Sequence, residues 1–128
     1  MEAFELMQNL FFTAVAILYA ILGIGHVTAP AVFMNGLGVS LDASADLIAR
    51  VIGSAAVGFA VVNWGCRDAA PSRLFTNVLY GNLTEKIIQV VLILYALNAG
   101  IFNSMGWGML ALQALLGVGF AYFLFGKR

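Results

Sequence analysis

The chain has 128 residues, of which 62% are hydrophobic and only 9% are charged, and its mean hydropathy is +0.98. Because a water-soluble domain carries about 25% charged residues, this composition excludes an ordinary globular surface that faces water. Six Lys and Arg balance six Asp and Glu, which gives no general basis for binding nucleic acid. A single cysteine, Cys66, and a single histidine, His26, exclude an intrachain disulfide, a thiolate metal cluster and a three-histidine metal site.

Four apolar segments are close to the length that a membrane-spanning helix needs, which is about 20 residues. None of them alternates polar and apolar residues as a half-buried strand does. The turns between them are short, which favours antiparallel neighbours. The sequence therefore predicts an all-α fold, an integral membrane antiparallel four-helix bundle in one domain (residues 1–128), with spans at about 10–27, 47–64, 74–97 and 105–125.

The region between the first two spans contains helix stop and start signals. Pro30 must end the first helix or begin a short one. Residues 31–38 have a near-helical apolar spacing, and we expect them to lie along the membrane interface. Ser40 or Asp42 is placed to cap the second span.

Small residues recur at helical spacing on the spans. Such seams are typical of membrane helices that pack closely, and they also permit association with other subunits. The residues that we expect to form these helix-packing seams are Gly23, Gly53, Ser54, Gly58, Ala114, Gly117 and Ala121.

The third span contains the polar residues that a bilayer-spanning helix normally avoids: Asn82, Glu85, Lys86 and Gln89. An ionised side chain in the middle of a span costs roughly 2.5–3.5 kcal/mol on insertion scales. We therefore expect this intramembrane polar cluster to face a partner or a wet cavity. The spacing places Asn82, Glu85 and Gln89 on one face, with Lys86 at its margin.

Three interpretations of this cluster stay open. Glu85 could be a carboxylate linked to proton or substrate movement. It could instead be one half of a buried clamp with Arg50 or His26, which would fix the helix register. In the third interpretation the immersed part of the span is shorter and Lys86 extends toward the interface.

Arg50 and His26 are the candidate ion-pair or ligand partners of this cluster. Arg50 follows Asp46 by four residues, the spacing of a surface ion pair, although a longer reach to Glu85 is open to it. His26 shares a face with Tyr19. A lone histidine of this kind is usually a hydrogen-bonded structural residue. As a proton relay or a donor to a quinone ring, it would need Tyr19 or Glu85 beside it.

The positive charges in the short loops predict the orientation of the chain. With four spans, both termini and the turn at residues 66–73 share one side. That side contains Arg67, Arg73, Lys127 and Arg128. Since Lys and Arg are enriched on the cytoplasmic side, both termini are expected in the cytoplasm.

Three stretches carry a resemblance to a known family: LYAILGIGHVTAP, LIARVIGSAAVGFAVVNW and NSMGWGMLALQALLGVGFAYFLF. With them the chain resembles small bacterial four-helix membrane proteins of the broad DoxX-like type, over roughly residues 18–125. The resemblance implies a bundle in the bacterial inner membrane. It also implies an association with quinol-oxidising or sulfur-oxidising respiratory complexes. It brings no catalytic residues that can be placed on this sequence.

The sequence leaves three functions to compare. The leading hypothesis is a non-catalytic accessory or assembly subunit of a larger energy-converting or redox membrane complex, with membrane lipids and other membrane subunits or further copies of itself as partners. The second is a small oligomeric proton-coupled transporter or channel that uses Glu85. The third is a membrane protein that binds a quinone or a lipid. No catalytic residue, metal site or covalently bound cofactor is expected.

Overall fold

The computed structural model describes residues 2–126, and this part of the chain is all-helical, with five helices and no strand. The helices are α1 (Ala3–Thr28), α2 (Pro30–Gly36), α3 (Ala43–Cys66), α4 (Arg73–Asn98) and α5 (Met105–Phe125). All but α2 are long and apolar enough to cross a membrane. The predicted all-helical fold is thus confirmed, and each predicted span lies within one long helix.

The helix ends follow local capping chemistry. Pro30 begins α2, where its missing N–H removes no helical hydrogen bond. Gly38 follows α2 with a φ of +83°, a left-handed conformation that glycine adopts without steric strain. Of the two candidate caps for α3, Asp42 is the one used, since its side chain accepts a hydrogen bond of 2.7 Å from Ala45 N. Ser72 caps α4 in the same way.

The chain divides into two compact units, one ending at Asp68 and the other beginning at Ala69. In the first unit α1 packs along α3, and the short α2 touches both helices. The two long helices are antiparallel: Arg50 near the start of α3 contacts Val27 at the end of α1, while Asn9 near the start of α1 bonds to Asp68 just after α3.

The closest approach of α1 and α3 is at two glycines, Gly23 and Gly53. A Cβ atom added to Gly23 would lie 2.8 Å from Val57 N and 2.9 Å from Gly53 O. One added to Gly53 would lie 2.7 Å from His26 Cβ and 2.8 Å from Gly23 O. Because backbone atoms occupy the space, only glycine fits at either position. Close backbone approach at small residues is the usual way in which membrane helices pack.

In the second unit α4 and α5 form a helical hairpin. The turn between them uses Gly100, whose φ is +69°, and Ile101 N closes it with a hydrogen bond of 2.9 Å to Ala96 O. Gly106 then lets α5 start close to α4, since a Cβ there would lie 2.8 Å from Leu97 Cδ2. The middles of the two helices are thereby placed beside each other.

The other predicted seam residues are not packed in this way. Ser54 and Gly58 are exposed on α3, and a Cβ on Gly58 would meet no atom within 4 Å. On α5, Ala114 is exposed, while Gly117 and Ala121 are half-buried. A Cβ on Gly117 would lie 3.4 Å from Lys86 Cβ, in ordinary contact with α4.

Candidate functional site

The polar cluster of the third span lies at the middle of α4. Lys86 comes 13 residues after Arg73 and 12 before Asn98, so it is about 18–20 Å from either end of the helix. Lys86 and Asn82 lie one turn apart on the buried face, with 2% and 1% of their surface exposed. Glu85 and Gln89 are half-buried. The buried face is therefore centred on Lys86, which the spacing had placed at its margin.

The Lys86 ammonium lies within a network of oxygen acceptors. Its Nζ is 2.9 Å from Glu85 Oε2 and donates to Gln89 Oε1 at 3.3 Å. Gln89 Nε2 donates in turn to Glu85 Oε1. Lys86 and Glu85 thus form a neutral pair, which reduces the large penalty of placing either charge alone in a low-dielectric surrounding.

The network crosses to α5 through Gln113. Lys86 Nζ donates to Gln113 Oε1 over 2.7 Å, and Gln113 is itself only 5% exposed. Gln113 was given no role from the sequence alone. The signal that could have identified it is its isolation, since it is the one amide or charged side chain in Met105–Phe125.

In the third interpretation the immersed part of the span is about residues 79–97 and Lys86 extends toward the interface; in the structure Lys86 points to α5. Its Nζ is bonded to Gln113, eight residues into α5, and not near a helix end. A buried cation of this kind needs several acceptors within reach, and Glu85, Gln89 and Gln113 supply them.

Arg50 has its partners in the first unit. Its Nε donates to Asp46 Oδ2 at 2.7 Å, the ion pair that the spacing predicts. Its Nη1 donates to Val27 O at 2.6 Å and to Thr28 O at 3.3 Å. Carbonyl groups at a helix C-terminus lack helical donors, so Arg50 caps the end of α1.

His26 and Tyr19 also lie in the first unit, each with a local partner. His26 Nδ1–H donates to Leu22 O over 2.7 Å, and its ring stacks on Phe33 with the centroids 4.8 Å apart. Tyr19 is buried and stacks on Phe59. These contacts are those of structural side chains.

The α3–α4 turn contains the single cysteine and a small charged group. Cys66 is half-buried at the last residue of α3. Next to it the Arg67 guanidinium lies 4.2 Å from the centre of the Trp64 ring, and Arg67 Nε is 3.3 Å from Asp68 Oδ2. Cation–π contacts of this kind contribute about 0.5–1 kcal/mol at exposed sites.

An open groove runs between α4 and α5 beside the polar network, with a volume of about 350 Å³. Its lining is almost entirely apolar surface, and Lys86 and Gln113 are the two lining residues whose side chains carry a polar end group. The small side chains of Ala114, Gly117 and Ala121 form the α5 wall.

The first unit has a second groove, between α1 and α3, of about 290 Å³. Small and branched apolar residues line it, with Trp64 at one end. It has no buried charge or amide among its lining residues. Both grooves thus present almost only apolar surface.

Within residues 2–126, no three His, Cys, Asp or Glu side chains come close enough together to hold a metal ion. Comparison with protein-family models, with curated proteins and with solved structures found no match to this chain.

Proposed function

We propose that this protein is a non-catalytic accessory or assembly subunit of a larger energy-converting or redox complex in the bacterial inner membrane. The observation that carries the proposal is the exposed small-residue face of α3, made by Ser54 and Gly58. The two residues are one turn apart and exposed, and Gly58 has open space where a Cβ would lie. Helices in lipid associate by close backbone approach at such pairs.

The use of glycine on the α1-facing side of α3 supports this assignment. Gly53 already packs against Gly23 of α1, which accounts for one small residue of α3. Ser54 and Gly58 have no such neighbour helix in the first unit, because the space at Gly58 is open. A helix from another polypeptide of the complex would fill that space.

The polar network fits a subunit as a structural clamp. Glu85, Lys86, Gln89 and Gln113 bond to one another and join α4 to α5. A network whose members bond to one another fixes the register of two helices. In the proposed arrangement the four long helices form one antiparallel bundle.

The proposed topology places both termini in the cytoplasm. Arg67 and Arg73 flank the α3–α4 turn, and the positive-inside rule assigns such a turn to the cytoplasmic side. Lys127 and Arg128 support the same assignment from the sequence alone, because they lie outside the described residues.

The test is purification of the protein from its own host at native level in mild detergent, with mass spectrometry of everything that remains bound. We expect a reproducible set of larger membrane proteins. Gly58→Leu should remove this set, while Gly81→Leu should retain it. Gly81 is a matched control, since it is also exposed and also has open space beside it. A clean homo-oligomer without other proteins would overturn the accessory role.

A small proton-coupled transporter or channel is the second candidate, and one observation favours it. Glu85 lies at the middle of α4 with 21% of its side chain exposed. A carboxylate at this position could take up and release protons along a transport pathway. For this function we expect a discrete homo-oligomer that releases protons when it binds substrate. The release should vanish in Glu85→Gln. Proton release that survives this substitution would exclude Glu85 as the coupling group.

A further inference from the structure

One side of α4 is exposed along most of the helix and has the spacing of a helix-packing surface. Its residues recur alternately four and three positions apart, the heptad repeat with which helices pack against each other in a left-handed pair. We call this surface the α4 face, and its residues, all of them exposed, are Asn77, Gly81, Thr84, Ile88, Val91 and Tyr95. None of them is charged. Together they form a continuous surface that no helix in the described part of the chain covers.

Two residues of the α4 face have polar side chains without a partner. Within residues 2–126, neither the Asn77 amide nor the Thr84 hydroxyl makes a hydrogen bond. Thr84 comes 11 residues after Arg73 and 14 before Asn98, which places it about 16 and 21 Å from the ends of α4. Lipid headgroups at the edges of the bilayer therefore lie far from this hydroxyl. A polar group that faces lipid without a partner is unfavourable, and a neighbouring helix would supply the partner.

The exposed middles of the other long helices differ from the α4 face. The middle of α1 exposes apolar side chains such as Ile17 and Ile21, and the middle of α5 exposes Leu115. On α3 the exposed hydroxyl of Ser54 already donates to Val51 O at 2.7 Å. In the part of the chain that the structure describes, the exposed polar groups that lack a partner in the middle of a long helix thus lie on α4.

The α4 face is complementary to itself in hydrogen bonding and in charge. An amide and a hydroxyl each donate and accept, so Asn77 and Thr84 can each bond to the same residue of a second copy. No charged side chain belongs to the face, and the adjoining Glu85 is already paired with Lys86 at 2.9 Å. Two such faces therefore meet without bringing unpaired like charges together.

The orientation of the chain makes this self-pairing geometrically possible. Copies of one chain insert into a membrane in the same orientation, because the same Lys and Arg residues set it. Two α4 helices related by a two-fold axis perpendicular to the bilayer are then parallel, and each residue of the face meets its own equivalent. Gly81, between Asn77 and Thr84, has no atom within 4 Å of the position of a Cβ. It allows the two backbones to approach closely between the two polar pairs.

We propose that the α4 face binds a second copy of this chain in a parallel two-fold dimer, with Asn77 and Thr84 hydrogen-bonded to their equivalents across the axis. Ile88, Val91 and Tyr95 continue the contact with apolar packing. An asparagine at one position of a heptad seam fixes the register and the number of helices, which is the role of Asn77 here. The dimer uses α4, whereas the accessory role rests on α3, so this inference does not depend on whether the chain belongs to a larger complex.

Two adjacent isoleucines provide matched reporter positions for the test. Ile88 and Ile87 are 53% and 57% exposed, but they point about 100° apart around the helix. In full-length Cys66→Ala protein in native membranes, with copper phenanthroline as the oxidant, Ile88→Cys should form a disulfide-linked dimer of twice the chain mass. Ile87→Cys should do so about tenfold more slowly, because its equivalents are turned away from each other. Equal rates, or no dimer from Ile88→Cys because lipid or another protein covers the face, would overturn the proposal.

Substitutions of similar size test the two polar pairs. The fraction of dimer is measured by energy transfer between fluorophores on Cys66, in liposomes over a series of lipid dilutions. Asn77→Leu and Thr84→Val should each weaken the dimer about tenfold, the effect of losing one hydrogen-bonded pair. Ser54→Ala is the matched control, because it removes an exposed hydroxyl that already has a partner, and it should leave the dimer unchanged. An undiminished dimer in both α4 variants would overturn the proposal.

Two glycine substitutions separate the dimer from the accessory role. Gly81→Leu should abolish the dimer in liposomes and retain any larger proteins that purify with the chain, whereas Gly58→Leu should do the reverse. If Gly58→Leu loses the larger proteins but Gly81→Leu dimerises as the unaltered chain does, the accessory role stands and the α4 dimer is excluded. If Gly81→Leu loses the dimer and no larger protein binds the unaltered chain, the dimer stands and the accessory role is excluded.

Discussion

Lys86 Nζ donates a hydrogen bond of 2.7 Å to Gln113 Oε1 and joins two helices across 27 residues of chain. Both side chains are buried and both lie near the middle of helices long enough to cross a membrane. A bond of this kind is directional, whereas the apolar contacts around it tolerate sliding. It therefore fixes how α4 and α5 are aligned along their length.

Removing the Lys86 cation should destabilise the protein, because the Glu85 carboxylate then lacks the charge that neutralises it. In Lys86→Met, Glu85 loses its counter-charge at the middle of α4. We expect a loss of roughly 2.5–3.5 kcal/mol in the free energy of unfolding, the insertion cost of a lone charge. Reversible unfolding in detergent measures it. The double variant Lys86→Met with Glu85→Gln should recover most of the loss, and a double variant no more stable than the single one would contradict this explanation.

The glycine crossing of α1 and α3 should be intolerant of even one methyl group. In Gly23→Ala the new Cβ meets backbone atoms of α3 at 2.8–2.9 Å, so the helices must separate. Overpacking of this kind costs about 1–3 kcal/mol. The same change at Gly58 meets no atom and should be neutral or slightly stabilising, because alanine is the better helix former. Thermal unfolding of the two variants in one detergent makes the comparison.

Arg50 should contribute more as a cap of α1 than as an ion pair with Asp46. The side chain is 40% exposed, and exposed pairs contribute only about 0.3–0.5 kcal/mol. Asp46→Asn removes the pair alone, whereas Arg50→Ala also frees Val27 O and Thr28 O. We expect Arg50→Ala to lower the free energy of unfolding by about 1 kcal/mol. Equal losses in the two variants would show that the carbonyl contacts contribute nothing.

Of the two capping candidates before α3, only one should matter for stability. Asp42→Ala removes the side-chain acceptor of Ala45 N and should cost about 1 kcal/mol. Ser40→Ala removes a hydroxyl that does not cap the helix, and it should leave the melting temperature unchanged. A larger effect at Ser40 than at Asp42 would argue against the observed start of α3.

The fold could be predicted from the sequence largely because lipid allows few solutions. A spanning segment must satisfy its backbone hydrogen bonds internally, so four long apolar segments predict four long helices. The start of α1 was less predictable, since Glu2 and Glu5 end the apolar run but suit a helix N-terminus. That helix begins at Ala3, seven residues before the predicted span.

The polar cluster was only partly predictable, because spacing on one helix does not identify the neighbouring helix. Asn82, Glu85, Lys86 and Gln89 stand out by composition alone. That Lys86 and not Glu85 is at the centre follows from where α5 lies, and Gln113 enters for the same reason. Likewise the spacing predicts a seam at Gly53, Ser54 and Gly58, but only the packed structure separates Gly53 from the exposed pair.

The position of Cys66 turns the native chain into its own topology reporter. It is the single cysteine, and it is half-buried at the last residue of α3, beside the Arg67 turn. A thiol reagent that cannot cross membranes will modify it from one side only, so sealed vesicles of known sidedness reveal which compartment the α3–α4 turn occupies. Because Asn9 near the start of α1 bonds to Asp68 beside this turn, that one labelling result also assigns the side on which α1 begins, without any engineered residue.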